Sequence, residues 1–156
     1  MKKVLLVAFI SILFSPSVYS EVLCETHERV SFACDFKSKS VSVCRNDEET
    51  LIYRFGSQQK IELELKSDIH FSRAAYSGGG EGNLTFLNGN YRYVVYSSIS
   101  NGAWLDDGTR EKVERAGIYV VKGDKLLKDI ECQSFPGNSF IHDLPVFEEK
   151  EFRYYK

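Results

Sequence analysis

The sequence predicts an all-β protein, either a small antiparallel β-barrel or a two-sheet sandwich, with about nine short strands linked mostly as hairpins. Short segments alternate between apolar and polar residues, which is typical of strands with one buried face. Glycine, asparagine and aspartate separate these segments at short intervals, as hairpin turns require. No segment carries an apolar stripe of helical period and core length, so we expect antiparallel sheets without a core helix.

The chain opens with a segment typical of an export signal. Two lysines follow Met1, an apolar run covers residues 4–14, and small residues precede the first acid, Glu21. We expect residues 1–20 to be a signal peptide that is cleaved after Ser20. The apolar run is shorter than the roughly 20 residues of a membrane span. The sequence therefore predicts a protein without a membrane span, periplasmic or secreted, with a signal of Gram-negative type.

The remaining residues, 21–156, fall within the usual size of one domain, so we expect a single β domain. The whole chain has 20 lysines and arginines against 22 acids, a net charge of −2, and no basic cluster. Nucleic acids and anionic membranes attract basic surfaces. We therefore expect no nucleic acid partner.

Four cysteines follow the predicted signal, and an even number in an exported chain indicates two disulfides with three possible connectivities. Zinc is the alternative, but the first three cysteines lie ten residues apart and not in Cys-x-x-Cys pairs. We expect neither a metal site nor a cofactor.

The faces to which the cysteines of the first two strands point indicate which disulfides can form. Residues 30–36 alternate strictly, and a polar loop returns the chain at Val41. Pairing Phe36 with Val41 directs Cys34 and Cys44 to opposite faces, although a single bulge would reverse that parity. The phase favours two bridges, Cys24 with Cys44 and Cys34 with Cys132.

The middle of the chain reads as further hairpins. Residues 51–55 and 61–65 form one, with Glu62 and Glu64 outward. A strand over 69–76 follows, in which His70 points outward, and then a glycine-rich stretch, 77–82, that we expect to be a flexible connection.

Asn88-Gly89 is the strongest turn signal in the chain, since both residues tolerate positive φ. With these two residues as the turn, Phe86 lies opposite Tyr91. Both strands then agree about their faces, with one core-facing set: Leu84, Phe86, Tyr91, Tyr93 and Val95.

Beyond Ser100 the alternation stops. Residues 101–115 read as a polar loop that is long for a hairpin connection, and residues 109–116 as a short helix. Residues 118–121 and 125–133 resume β character around a turn at Gly123-Asp124. We expect the tail to be irregular and to pack on the sheet through Phe140, Ile141 and Phe147.

Trp104, the only tryptophan, lies in this polar loop and is the principal binding candidate, since tryptophan often anchors interfaces. Asp106, Asp107 and Arg110 of the same loop complete the candidate site. The competing and favoured interpretation is that Trp104 folds back to close one end of the domain.

Four segments carry a resemblance: Tyr-Arg-Phe-Gly at 53–56, Lys-Ile-Glu-Leu at 60–63, residues 86–96, and residues 117–125 closing on Cys132. Together they resemble a family of small uncharacterised exported proteins of Gram-negative bacteria. The resemblance covers residues 30–132 and implies export and a β fold, but no site, because that family has no assigned activity.

In size, export and β content the chain is also similar to periplasmic lysozyme inhibitors. It lacks a convincing counterpart of their Ser-Gly…Tyr and Lys-Gly inhibitory loops, of which residues 76–78 are a weak echo. An inhibitor function therefore rests on analogy of fold.

These observations favour a non-enzymatic exported binding or inhibitor module that contacts a protein or cell-envelope component through residues 101–115. One alternative is an enzyme acting on cell-wall glycans, because two suitably spaced acids hydrolyse glycosides. Its candidate acids are Asp106, Asp107, Glu111 and Glu114. A structural or toxin-neutralising periplasmic protein is a further alternative, and the sequence does not indicate an oligomeric state.

Overall fold

The computed structural model describes residues 21–48, 50–66, 69–135, 144–145 and 148–155. Within these ranges the chain forms strands and no helix, which confirms the all-β prediction. Nine strands follow one another: β1 (Arg29–Asp35), β2 (Ser40–Arg45), β3 (Leu51–Ser57), β4 (Lys60–Leu65), β5 (Ile69–Tyr76), β6 (Gly79–Asn88), β7 (Tyr91–Trp104), β8 (Arg110–Lys122) and β9 (Lys125–Glu131).

The strands form two antiparallel sheets, one of four strands and one of five. Strands β1 to β4 make the first sheet and β5 to β9 the second, and each strand pairs with the next along the chain. Among the described strands, none of one sheet pairs with a strand of the other. The architecture is therefore a two-sheet sandwich, and the closed barrel, the other predicted alternative, is wrong.

The core lies between the two sheets and contains apolar side chains from both. Tyr53 of β3 joins them, since its ring centre lies 5.3 Å from that of Phe86 and 5.8 Å from that of Tyr93. Such aromatic pairs contribute about 0.5–1.5 kcal/mol beyond their buried area. The buried members of the core are Phe32, Cys34, Val41, Val43, Leu51, Tyr53, Leu84, Phe86, Val95, Ala116 and Ile118.

Both disulfides favoured by the strand phase are present, Cys24 with Cys44 and Cys34 with Cys132. Cys34 lies opposite Val41, two residues from the predicted register. A shift of two residues leaves every side chain on its face. Cys34 therefore points into the core, while Cys44 points outward.

The hairpin between β6 and β7 turns one residue later than predicted. Asn88 is still paired, with Tyr91, and the turn residues are Gly89 and Asn90. Gly89 has a φ of +58°, a conformation that glycine adopts without strain. Phe86 consequently lies opposite Tyr93, again a two-residue shift that keeps the predicted core face.

The glycine-rich stretch after β5 is not the flexible connection that the sequence predicted. Only Ser77 and Gly78 form the turn, and the glycines that follow belong to β6. Gly80 pairs with Ala75 on one side and Ile99 on the other. A Cβ on Gly79 would lie 1.8 Å from the carbonyl oxygen of Ile99, so β7 approaches as closely as only glycine permits.

Two terminal segments cover the outer faces of the sheets. The N-terminal cover, residues 21–28, lies on the four-stranded sheet, where the Leu23 amide donates to Ser42 Oγ at 3.0 Å. The C-terminal strap, residues 148–155, begins at the free edge of β5, where the Lys150 amide donates to the Phe71 carbonyl at 2.8 Å. It reaches β8, where the Tyr155 ring lies 5.2 Å from that of Tyr119.

Several expectations fall on residues outside the described ranges. These are the predicted signal peptide, 1–20, and the predicted packing of Phe140, Ile141 and Phe147. In the ranges that are described, no helix has the length and apolar character to cross a membrane.

Candidate functional site

Among the described hairpins, β7–β8 is the longest, with strands of 14 and 13 residues. Strand β6 pairs with β7 only as far as Ile99, and β9 pairs with β8 only as far as Gly117. Residues 100–114 therefore form a hairpin arm whose two strands pair with each other and with no other strand of the described chain. The predicted long loop at 101–115 is wrong, because paired strands occupy most of it.

The predicted helix at 109–116 is also wrong, since β8 begins at Arg110. Pairing of Asn101 with Lys112 and of Trp104 with Arg110 makes this segment a strand. Its charged residues favour a helix in isolation, but pairing with β7 overrides that preference.

A short turn closes the arm between Trp104 and Arg110. The Leu105 amide donates to the Thr109 carbonyl at 2.9 Å, and Gly108 has a φ of +81°. Asp107 Oδ1 accepts from the Thr109 hydroxyl at 2.6 Å and from its amide at 2.9 Å. These hydrogen bonds lower the pKa of Asp107. Asp107 thus builds the turn, while Asp106 is exposed beside it.

Trp104 is 71% exposed at the end of the arm, so the interpretation that it folds back to close the domain is wrong. The Arg110 guanidinium lies over the indole, 4.7 Å from the ring centre, and its Nε donates to the Gly102 carbonyl at 2.8 Å. A cation over a tryptophan face is attracted by the ring. Arg110 therefore holds the indole in a fixed, exposed position.

Two further large apolar side chains of the arm are exposed, Leu105 and Val113. Leu105 follows Trp104 at the end of the arm, whereas Val113 and Arg110, three residues apart on β8, point to opposite faces, so Val113 lies on the face away from the indole. Exposed apolar side chains such as Trp104 and Leu105 at the end of a projecting element are typical of a binding site.

The base of the arm is fixed by polar contacts. Lys112 Nζ donates to the Gly78 carbonyl at 2.6 Å and to Asn101 Oδ1 at 2.8 Å. Arg115, just below the arm, donates through two nitrogens to the Glu131 carboxylate at 3.0 and 2.8 Å. Both contacts link the arm to neighbouring elements, so it projects in a defined direction.

A groove of about 550 Å³ borders the arm at Ile99. Gly79, Gly80 and Ser97 contribute to its lining, and the ion pair of Arg73 with Glu149 lies at the same site. The groove has room here because Gly79 and Gly80 of β6 are glycines and carry no side chain.

The structure brings together only part of the predicted site. Trp104 and Arg110 are in contact, and Asp106 and Asp107 lie in the adjacent turn. Glu111 and Glu114, three residues apart on a strand, point to opposite faces. The helix that would have placed these two acids side by side is absent.

Three potential metal ligands, Cys24, Glu28 and Cys44, lie within 4.8 Å of one another elsewhere in the described chain. The two sulfurs are bonded to each other, and the Glu28 carboxylate accepts hydrogen bonds from Arg54. None of the three therefore offers a free anionic ligand.

Comparison of the chain with known protein families, curated proteins and solved structures finds no match. The geometry of the hairpin arm is therefore the basis for its proposed function. The family resemblance noted for residues 30–132 stays a prediction.

The sequence did not predict a second feature, a polar cavity beneath the C-terminal strap. One signal was present: Val94 and Tyr96 are apolar residues on the face of β7 opposite the core, and the structure buries both. Apolar side chains on that face must be shielded from water, and the C-terminal strap, which is distant in the sequence, covers them.

Proposed function

We propose that the protein is a non-enzymatic exported binding or inhibitor module that contacts a protein or another cell-envelope component through the hairpin arm. The observation that carries this proposal is the exposed Trp104, held by Arg110 on an arm that pairs with no further strand of the described residues. Tryptophan and arginine are enriched among the residues that dominate interface energies.

The construction of the arm supports a binding role. An isolated two-stranded hairpin has little stability of its own in water, and this arm contributes nothing to the described core. Export is supported by the two disulfides, which are typical of oxidising compartments.

Among envelope components, a protein partner suits the arm best. Leu105 adds exposed aliphatic surface next to Trp104 in the chain. An apolar protein cleft would bury both side chains, whereas a glycan would stack on the indole alone. The alternative of a glycan-acting enzyme has less support, because Glu111 and Glu114 are on opposite faces.

The test is replacement of Trp104 with alanine. We expect the variant to fold normally, since its side chain is exposed, and to lose at least about tenfold in affinity, or about 1.4 kcal/mol, for envelope proteins captured by the wild type. Capture is measured by immobilising the protein and comparing bound envelope proteins by mass spectrometry.

Tyr154→Ala is the matched control, because Tyr154 is an aromatic residue of similar exposure, 74%, on the strap. It should retain the partners. If Trp104→Ala captures the same proteins as the wild type with unchanged affinity, the arm is not the binding element.

A further inference from the structure

A cavity of about 370 Å³ lies between the C-terminal strap and the outer face of the five-stranded sheet. This volume is within the range of small-molecule sites, roughly 300–1,000 Å³. The sheet contributes Ser72, Thr85 and Arg92 to its lining, and the strap contributes Lys150 and Arg153.

One buried polar atom in this lining, Arg92 Nε, has no hydrogen-bond partner in the described chain. Ser72 and Thr85, each 7% exposed, lie in the same lining, and neither hydroxyl makes a hydrogen bond to any described residue. Buried polar groups in folded proteins are almost always hydrogen-bonded, so the unpartnered Arg92 Nε beside these two hydroxyls indicates a ligand with matching polarity.

The charged side chains of the lining indicate the sign of the charge on that ligand. Arg92, Lys150 and Arg153 are cations, and Glu151 is the only acid among the described residues that line the cavity. The chain as a whole has a net charge of −2, so this excess of positive charge is local.

Neighbouring acids neutralise these cations only in part. Asp124 lies 3.5 Å from Arg92 and 3.7 Å from Arg153, but its side chain is almost fully exposed. Lys150 pairs with the exposed Glu148 at 2.6 Å. Exposed ion pairs are weak in water, so they yield readily to a buried anion.

Every unpartnered group named here is a hydrogen-bond donor: an N–H of Arg92 and two hydroxyls. Oxyanions supply acceptors only, and guanidinium groups bind carboxylate and phosphate with good geometry. We propose that this cavity binds the carboxylate or phosphate group of a small molecule, with Arg92 as the charged partner and Ser72 and Thr85 as neutral donors. Arg153 closes the site from the strap.

The site shares no lining residue with the hairpin arm. A failure of one proposal therefore leaves the other intact.

The test is titration of the full chain, followed by amide NMR at constant ionic strength. The probes are inorganic phosphate, glucuronate as a carboxylate, and glucose as an uncharged control. We expect phosphate or glucuronate to shift the amides of Ser72, Thr85 and Arg92 with saturation, and glucose to shift none. Which anion saturates identifies the ligand group.

Variants then assign the binding to this cavity. Arg92→Gln should weaken binding at least tenfold, and Thr85→Val, which keeps the side-chain shape, should weaken it severalfold. Arg115→Gln is the matched control, because it removes the same charge from the outer face of the same sheet and should bind as the wild type does.

Two results would overturn the proposal. One is the absence of saturable shifts with both anions. The other is binding that Arg92→Gln and Thr85→Val leave unchanged, or that Arg115→Gln weakens as much as Arg92→Gln does, since either would show only nonspecific attraction of anions.

Discussion

The N-terminal cover and the C-terminal strap each cover the outer face of one sheet, but they are held differently. The N-terminal cover is fixed by the Cys24–Cys44 disulfide and by a buried ion pair. In that pair the side chains of Arg54 and Glu28 are 4% and 2% exposed, and Arg54 Nη2 donates to Glu28 Oε1 at 2.9 Å.

The strap has no covalent link and no buried ion pair among the described residues. A backbone hydrogen bond, the ring contact of Tyr155 with Tyr119, and two exposed ion pairs, Arg73 with Glu149 and Arg153 with Asp124, hold it to the sheet.

The polar groups beneath the two segments also differ in how completely they are hydrogen-bonded. Under the N-terminal cover, Arg54 uses Nε, Nη1 and Nη2 in hydrogen bonds, to Glu64, Leu23 and Glu28. Under the strap, Arg92 Nε is buried without a partner in the described chain, and no described residue hydrogen-bonds to the Ser72 or Thr85 hydroxyl. A satisfied contact indicates a structural role, whereas an unsatisfied one indicates a place for a ligand.

The largest expected effect comes from breaking the buried ion pair. Glu28→Gln leaves the Arg54 charge buried with one strong partner fewer, so the free energy of unfolding should fall by about 3 kcal/mol. Urea unfolding followed by circular dichroism measures this change.

Glu64→Gln is the control, because Glu64 also contacts Arg54, with Nε to Oε2 at 2.7 Å, but is partly exposed. It should cost less than about 1 kcal/mol. Equal costs for the two variants would show that burial of the pair does not fix the N-terminal cover.

Acid should reduce the contribution of the Glu28–Arg54 ion pair to the stability of the fold. The Arg54 guanidinium holds the pKa of the Glu28 carboxyl below its ordinary value of 4.5. A carboxyl with a lowered folded-state pKa stabilises the fold above its unfolded-state pKa, and that stabilisation is lost as the pH falls through the folded-state value.

The stability difference between wild type and Glu28→Gln should therefore be constant above about pH 5 and shrink progressively below it. Urea unfolding at a series of pH values measures the difference. A difference that grows on acidification would contradict the assigned direction of the pKa shift.

The smallest expected effect comes from loosening the strap. Tyr155→Ala removes the tilted ring contact with Tyr119 and should lower the free energy of unfolding by about 1 kcal/mol or less. Hydrogen exchange at the Lys150 amide, which bonds to Phe71, should accelerate much more than exchange in the core strands.

Tyr154→Ala, on the exposed neighbouring residue, should leave that exchange nearly unchanged. If Tyr155→Ala instead destabilises the protein as much as Glu28→Gln, the strap is as integral to the fold as the N-terminal cover.

The fold was predictable where the argument needed only the face of the sheet to which a side chain points, because alternate residues of a strand share a face. The registers of the β1–β2 and β6–β7 hairpins each differ by two residues from the predicted ones, yet Cys34, Phe86 and Tyr93 kept their faces. The arm was not predictable in the same way, because charged residues on both strand faces leave no alternation to read. Residues 109–116 therefore resembled a helix.

The candidate sites depended on contacts between distant parts of the chain. Trp104 and Arg110 were identified as candidates, but their contact follows from a strand pairing that the sequence did not reveal. The strap cavity requires Glu149 beside Phe71, a contact without a local sequence signal.

The Cys34–Cys132 bridge also determines what a protease can do to this protein. Its cysteines are 98 residues apart, and the hairpin arm lies wholly inside the ring of chain that they close. A single cut in the exposed turn of the arm therefore releases no fragment, because both new ends stay attached through the sulfur atoms. The exposed hairpin arm is thus inside a covalent ring, and cleavage there leaves the mass of the protein unchanged except for one added water until the bridge is reduced.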